Sequence, residues 1–207
     1  MARALSPEQQ RAERLLGRIP KLRSGLGQRL MLAAAMTLLL DTKPIVVGGT
    51  AEEYWAGGEY HPTDLDLCPR PSDHDVETLR QVGLVKRGRH WVRTDLPVAV
   101  EFPDPGDEIQ RTSALTVGGV SILLISCEDL YLDRLRQATA SYPREDTSFQ
   151  GALEIALTNY GTMDWEYVRN RLRGLAKIEP GVGQVMIGVN RRASARARRG
   201  RSKLIGR

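Results

Sequence analysis

Two aspartates separated by one residue, Asp64-Leu65-Asp66, sit in a stretch that alternates polar and apolar side chains from Thr63 to Leu67. On an extended strand that alternation sends Asp64 and Asp66 to one face and Thr63, Leu65 and Leu67 to the other. Two carboxylates about 7 Å apart on one strand face repel each other unless a cation lies between them, and an all-oxygen pair of this kind suits magnesium. Upstream, Ile45-Val46-Val47-Gly48-Gly49-Thr50 reads as a β-branched strand turning sharply into a helix. Backbone amides at such a glycine turn, backed by a helix N-terminus, can hold phosphate.

The elements that must position these residues follow in chain order. Ser6-Pro7-Glu8-Gln9 has the N-cap, first-turn proline and capping-box partner of a helix running to about Arg18, with Ala12, Leu15, Leu16 and Ile19 inward. A second helix, Gln28 to Leu40, is apolar on all sides and is expected to be buried. After the glycine turn a short helix, Ala51 to Ala56, ends at Gly57-Gly58, and a loop over Glu59 to Pro62 returns the chain to the aspartate strand. Ser72 with Asp75 caps a helix reaching Val82, and Gly83 stops it. Leu84 to Lys86 and His90 to Thr94 read as a hairpin around Arg87-Gly88-Arg89, leading to a strand at Val98 to Phe102 and a loop at Pro103 to Asp107. Val117 to Ile125 reads as the last strand, with Gly118-Gly119 a bulge or turn within it. Ser126 then caps the first of three helices, the others covering Thr147 to Tyr160 and Asp164 to Leu175. Val185 to Val189 reads as a short strand or interaction segment.

The glycine turn followed by Asp-x-Asp resembles the signature of the DNA polymerase β-like nucleotidyltransferase superfamily, in particular its small prokaryotic branch of minimal nucleotidyltransferases and AbiEii-type toxins. The resemblance spans residues 28 to 140. It implies an α/β (α+β) fold, a mixed sheet flanked by helices, and a third carboxylate from a later strand, which here is Glu101 in Pro97-Val98-Ala99-Val100-Glu101-Phe102. It further implies a catalytic set of Asp64, Asp66 and Glu101 holding two magnesium ions, with manganese as a substitute, and a nucleotide-binding set of Gly48, Gly49 and Thr50. The implied reaction transfers a nucleotide from a nucleoside triphosphate to RNA, such as a tRNA end, or to protein. A cognate antitoxin-like partner belongs to the same expectation. The competing reading is a non-catalytic nucleotide- or RNA-binding module that keeps the fold. Glu52 and Glu53 depart from the usual pattern and are expected to face away from the phosphates, and Tyr60-His61-Pro62 stands where relatives often carry an arginine. The resemblance also points to Arg144 and Asp146, although a helix cap suffices for Asp146.

Composition narrows the alternatives. A chain of 207 residues, 41% hydrophobic, can bury one substantial core and a smaller second unit. Cys68 and Cys127 form no CxxC pair or disulfide framework, and the longest apolar run, Leu30 to Leu40, is too short to span a bilayer, so a cytoplasmic protein without a membrane segment is expected. His61, His74 and His90 lack zinc-site spacing, and none is assigned a metal. The net charge of +5 is uneven, since residues 191 to 207 hold eight basic side chains and no acid. The expected organisation is a catalytic domain over 1–125, a helical region over 126–178, and a linker with a disordered basic tail over 179–207. Arg191 to Arg207 would attract nucleic-acid phosphates without reading sequence.

Overall fold

Seven short strands make one mixed sheet in the computed structural model, which describes residues 5–57, 62–103 and 109–205. They are β1 (Ile45–Val47), β2 (Asp64–Cys68), β3 (Val85–Arg87), β4 (His90–Val92), β5 (Ala99–Glu101), β6 (Thr112–Val117) and β7 (Val120–Ile125), in the spatial order β3-β4-β5-β2-β1-β7-β6. Pairing is parallel at β1–β7 and β2–β5, and antiparallel at the other four junctions. Residues 59–61 and 104–107 of the two expected loops lie outside the described residues.

Helices α1 (Pro7–Leu16), α2 (Gly25–Leu39), α3 (Gly48–Ala56) and α4 (Asp73–Gln81) accompany the sheet. The capping box of α1 forms as its sequence demands, with Gln9 N–H donating to Ser6 Oγ and Ser6 N–H to Gln9 Oε1, and the helix buries Ala12, Leu15 and Leu16. Leu32 through Met36 of α2 are fully buried, which is why that helix is apolar all round. The cap of α4 uses Asp75, buried beneath the helix start, which accepts from the amides of Ser72 and Asp41 and from Ser72 Oγ.

The expected single strand from Val117 to Ile125 is instead the end of β6, a turn and all of β7. Gly118 and Gly119 both have positive φ, +57° and +77°, and form the two-residue connection of a hairpin. A Cβ on Gly118 would lie 2.9 Å from Leu15 Cδ2, so packing against α1 also requires glycine there.

The described chain divides into two compact units. The first holds the sheet, α1, α2, α4 and α3 as far as Glu53; the second holds the rest of α3 with α5 (Cys127–Gln137), α6 (Thr147–Asn159), α7 (Trp165–Ile178) and α8 (Pro180–Ile205). The disordered tail expected from residue 179 is corrected by α8, which also replaces the expected strand at Val185 to Val189. Alanine and arginine are strong helix formers, and Met186, Val189, Ala193 and Ala197 recur at three- and four-residue spacing as a fully buried stripe. Gly183 serves packing, because a Cβ there would come 2.4 Å from Ala176 Cα of α7. Arg192 and Arg196 both pair with Glu145, and the Arg196 hydrogen bond leads in holding that carboxyl below its ordinary pKa. Asp146 caps α6 by accepting from Phe149 N–H at 2.9 Å. Burial, reinforced by Glu128, pushes the Cys127 thiol up to about 12, so its place at a helix start does not activate it. No helix of the described residues is long and apolar enough to cross a membrane.

Burial raises the Asp75 pKa, but its hydrogen bonds from the Asp41 and Ser72 amides and the Ser72 hydroxyl outweigh that and leave it below the ordinary value of 3.8. A carboxyl lowered in the native state contributes stability that is complete above its unfolded pKa and fades as pH falls through the native one. Urea melts should therefore show wild-type protein losing stability as pH is lowered from about 4, with Asp75→Asn less stable at pH 7 and flatter over that acid limb.

Candidate active site

Alternation along β2 places Asp64 and Asp66 on one face, while Leu65 and Leu67 on the other are fully buried. The parallel register of β2 with β5 sets Asp64 opposite Ala99 and Asp66 opposite Glu101, so all three acids share that face. β4 pairs antiparallel with β5 and sets His90 opposite Glu101. Four chemically active side chains from three adjacent strands therefore point the same way.

Their terminal atoms are not evenly grouped. His90 Nε2 lies 3.5 Å from Asp64 Oδ2 and 3.5 Å from Glu101 Oε2, and ligand atoms of the three residues all fall within 4.8 Å of one another. Their side chains are 26% (Asp64), 17% (Glu101) and 32% (His90) exposed, shielded yet reachable by a dissolved ion. Arg89 Nε approaches Glu101 Oε2 at 3.2 Å from an otherwise exposed position. Asp66 is directed instead to the glycine corner: a Cβ on Gly48 would lie 2.1 Å from Asp66 Oδ2. The structure thus brings together Asp64, Glu101 and a histidine to which the sequence assigned no metal, with Asp66 beside them on the same face. His90 was findable only by pairing the hairpin strands in register, because nothing in its local sequence marks it.

The glycine corner is formed by β1 running directly into α3. Gly48 is already the first helical residue, three positions earlier than the expected start at Ala51, and its φ of +59° gives the chain its sharp change of direction. Asp66 lies against this N-terminus, where the helix dipole favours negative charge. Gly48 is half-buried, whereas Gly49 and Thr50 are buried. Thr50 Oγ1 donates to the carbonyl of Asp64 at 3.2 Å, which ties the aspartate strand to α3.

Buried Arg29 of α2 performs a similar positioning task. Its Nη1 donates to the carbonyl of Pro62 at 2.5 Å, just ahead of β2, and its Nη2 pairs with Glu53 of α3. Glu53 is thereby drawn toward α2. Tyr60 and His61 lie outside the described residues. A cleft of about 560 Å³ adjoins Glu101, with Arg70, Lys86, Arg89, Trp91 and Phe102 among its walls. Three basic side chains around one acid make it attractive to an anion.

No family model and no curated protein matches the chain. Among solved structures it is similar to an antigenic nucleotidyltransferase-like protein from Paracoccidioides brasiliensis, at 15% identity over 78% of this chain and 91% of that one, with a TM-score of 0.48.

Gly48 and Gly88 offer a controlled comparison, since both have φ near +60° but nothing lies within 4 Å of a Cβ built on Gly88. Gly88→Ala should cost about 1 kcal/mol in a urea melt, the backbone penalty alone. Gly48→Ala should cost at least about 2 kcal/mol more, because Asp66 must also move.

Proposed function

We propose that this protein is a divalent-metal-dependent nucleotidyltransferase that moves a nucleoside monophosphate from a nucleoside triphosphate to RNA. The observation that carries the reading is the placement of Asp64, Asp66 and Glu101 on one face of two parallel neighbouring strands, beside a glycine corner that begins a helix. The reaction forms a bond between an acceptor oxygen and the α-phosphorus as the bond to the β-phosphate oxygen breaks, and pyrophosphate leaves with the electron pair.

Bound divalent ions supply charge neutralisation at the attacking and leaving oxygens. With ions bound, Asp64 and Asp66 would hold them, and Glu101, nearer the anion-attracting cleft, would orient the acceptor hydroxyl and take up its proton. The β- and γ-phosphates approach at Gly48, where the half-buried corner and the start of α3 offer close backbone access and a favourable dipole. Gly49 and Thr50 shape that corner from beneath. Arg70, Lys86 and Arg89 favour a phosphodiester-bearing acceptor over a protein side chain, since cations lining a cleft that reaches Glu101 suit a nucleic-acid backbone. The exposed Arg191 and Arg199 of α8 add sequence-independent attraction of the same kind.

The buried state of Gly49 and Thr50 favours a second reading, a nucleotide- or RNA-binding module without catalysis. Incubation with each labelled triphosphate, magnesium and total RNA separates the two. Wild-type protein is expected to label RNA, with Asp64→Ala and Asp66→Ala each lowering the rate by at least about 10²-fold. Nucleotide binding with no label in RNA or protein would leave only the binding module.

A further inference from the structure

His90 has no part in the transfer reaction as described, yet its imidazole Nε2 lies 3.5 Å from both Asp64 and Glu101, between the two carboxylates. We infer that Asp64, His90 and Glu101 form a three-ligand site for a divalent transition ion of the manganese or zinc class, bound in preference to magnesium through the nitrogen His90 supplies. The inference shares two acids with the proposed transferase, but it concerns ion binding and does not require transfer.

The distances distinguish a ligand set from a hydrogen-bond network. An N–H···O bond spans about 2.7–3.2 Å, and at 3.5 Å from both oxygens the His90 nitrogen is bonded to neither. Two ligands on one ion, at bond lengths of about 2.1 Å, stand about 3.0 Å apart when at right angles and about 3.4 Å apart at the tetrahedral angle. Both 3.5 Å separations lie close to that tetrahedral figure, and with all three ligand atoms within 4.8 Å of one another one ion could reach all of them.

A second grouping of the same residue types shows the contrast. At Asp41, His74 and Asp75 the imidazole Nδ1 is 2.9 Å from Asp41 Oδ2, a formed hydrogen bond, and Asp75 is committed to the amides of Asp41 and Ser72. Its side chains cap a helix and turn. At the β2–β4–β5 face the three atoms are held by strand register, converge without bonding one another, and remain partly open to solvent. Arg89 competes for the same Glu101 oxygen, approaching it from the exposed side. Imidazole is a favoured ligand of zinc-class ions, whereas magnesium prefers an all-oxygen octahedron and keeps much of its water. A nitrogen in this position therefore sets the order of preference.

Calorimetric titration of the full-length protein with manganese and with magnesium, joined to pulsed EPR of the manganese complex, tests this. Wild type is expected to bind manganese at least about tenfold more tightly than magnesium and to show nitrogen hyperfine coupling from the imidazole. His90→Gln should remove the coupling and weaken manganese by at least about tenfold while changing magnesium by less than about threefold. Manganese bound to wild type without nitrogen coupling, or bound equally by His90→Gln, overturns the inference, and the wild-type spectrum decides it even if the variant folds poorly. Transfer supported by magnesium in a protein lacking the coupling would sink this inference alone, and coupling without transfer would sink the transferase reading alone.

Discussion

The candidate site depends on register at two strand junctions. Asp66 stands opposite Glu101 across β2–β5, and His90 stands opposite Glu101 across β4–β5, so a slip of one residue at either junction would send a chemically active side chain to the opposite face. The buried face resists such slips. Leu65, Leu67, Val100 and Trp91 all lie there at 3% exposure or less, and burying such side chains contributes about 1.5–3 kcal/mol each. Two carboxylates about 7 Å apart repel by about 2 kcal/mol at an effective dielectric near 20. The apolar face wins by a wide margin, and the acids are held where their own repulsion would not leave them.

The parallel junction has a second consequence. Parallel neighbours cannot be joined by a tight turn, so the chain between β2 and β5 must leave the sheet and return. It does so through α4 and the β3–β4 hairpin, and the return lays β4 against the free edge of β5. The connection thereby delivers Arg89 and His90 to Glu101. A connection needed for topology also supplies the cationic side of the site.

Much of this was legible from residues alone, and the failures have physical causes. Strong local signals, such as the caps at Ser6, Ser72 and Ser126 and the alternation of Thr63 to Leu67, correspond to formed elements because the determining interactions lie within a few residues. β6 escaped notice because its sequence, Thr-Ser-Ala-Leu-Thr-Val, is an edge strand with little apolar contrast, although the Gly118-Gly119 pair beside it was a hairpin signal. α8 is masked by a composition rich in arginine, serine and glycine, yet small and apolar residues from Met186 to Ala197 recur on one face, and packing against neighbouring helices outweighs the four glycines in the segment. At the site, the alternation of the aspartates was visible, but the approach of His90 and the inward turn of Thr50 depend on pairing between strands distant in sequence.

Each acid at the site has a different neighbour, and this bears on how an incoming cation would be received. Asp66 faces the N-terminal end of α3, Glu101 meets Arg89, and the imidazole of His90 stands between Asp64 and Glu101. The contact with Arg89 is the weakest of these, because that side chain is 70% exposed and ion pairs of this kind contribute about 1 kcal/mol or less. An ion bound as inferred would displace Arg89 from Glu101 at small cost and would gain two carboxylates and a nitrogen already held in position by the sheet. Freed from Glu101, the guanidinium would remain on the wall of the adjoining cleft, where a phosphate would be a suitable partner. Ion binding and anion binding at neighbouring positions would then reinforce each other, since each relieves the other's competitor for the same two side chains.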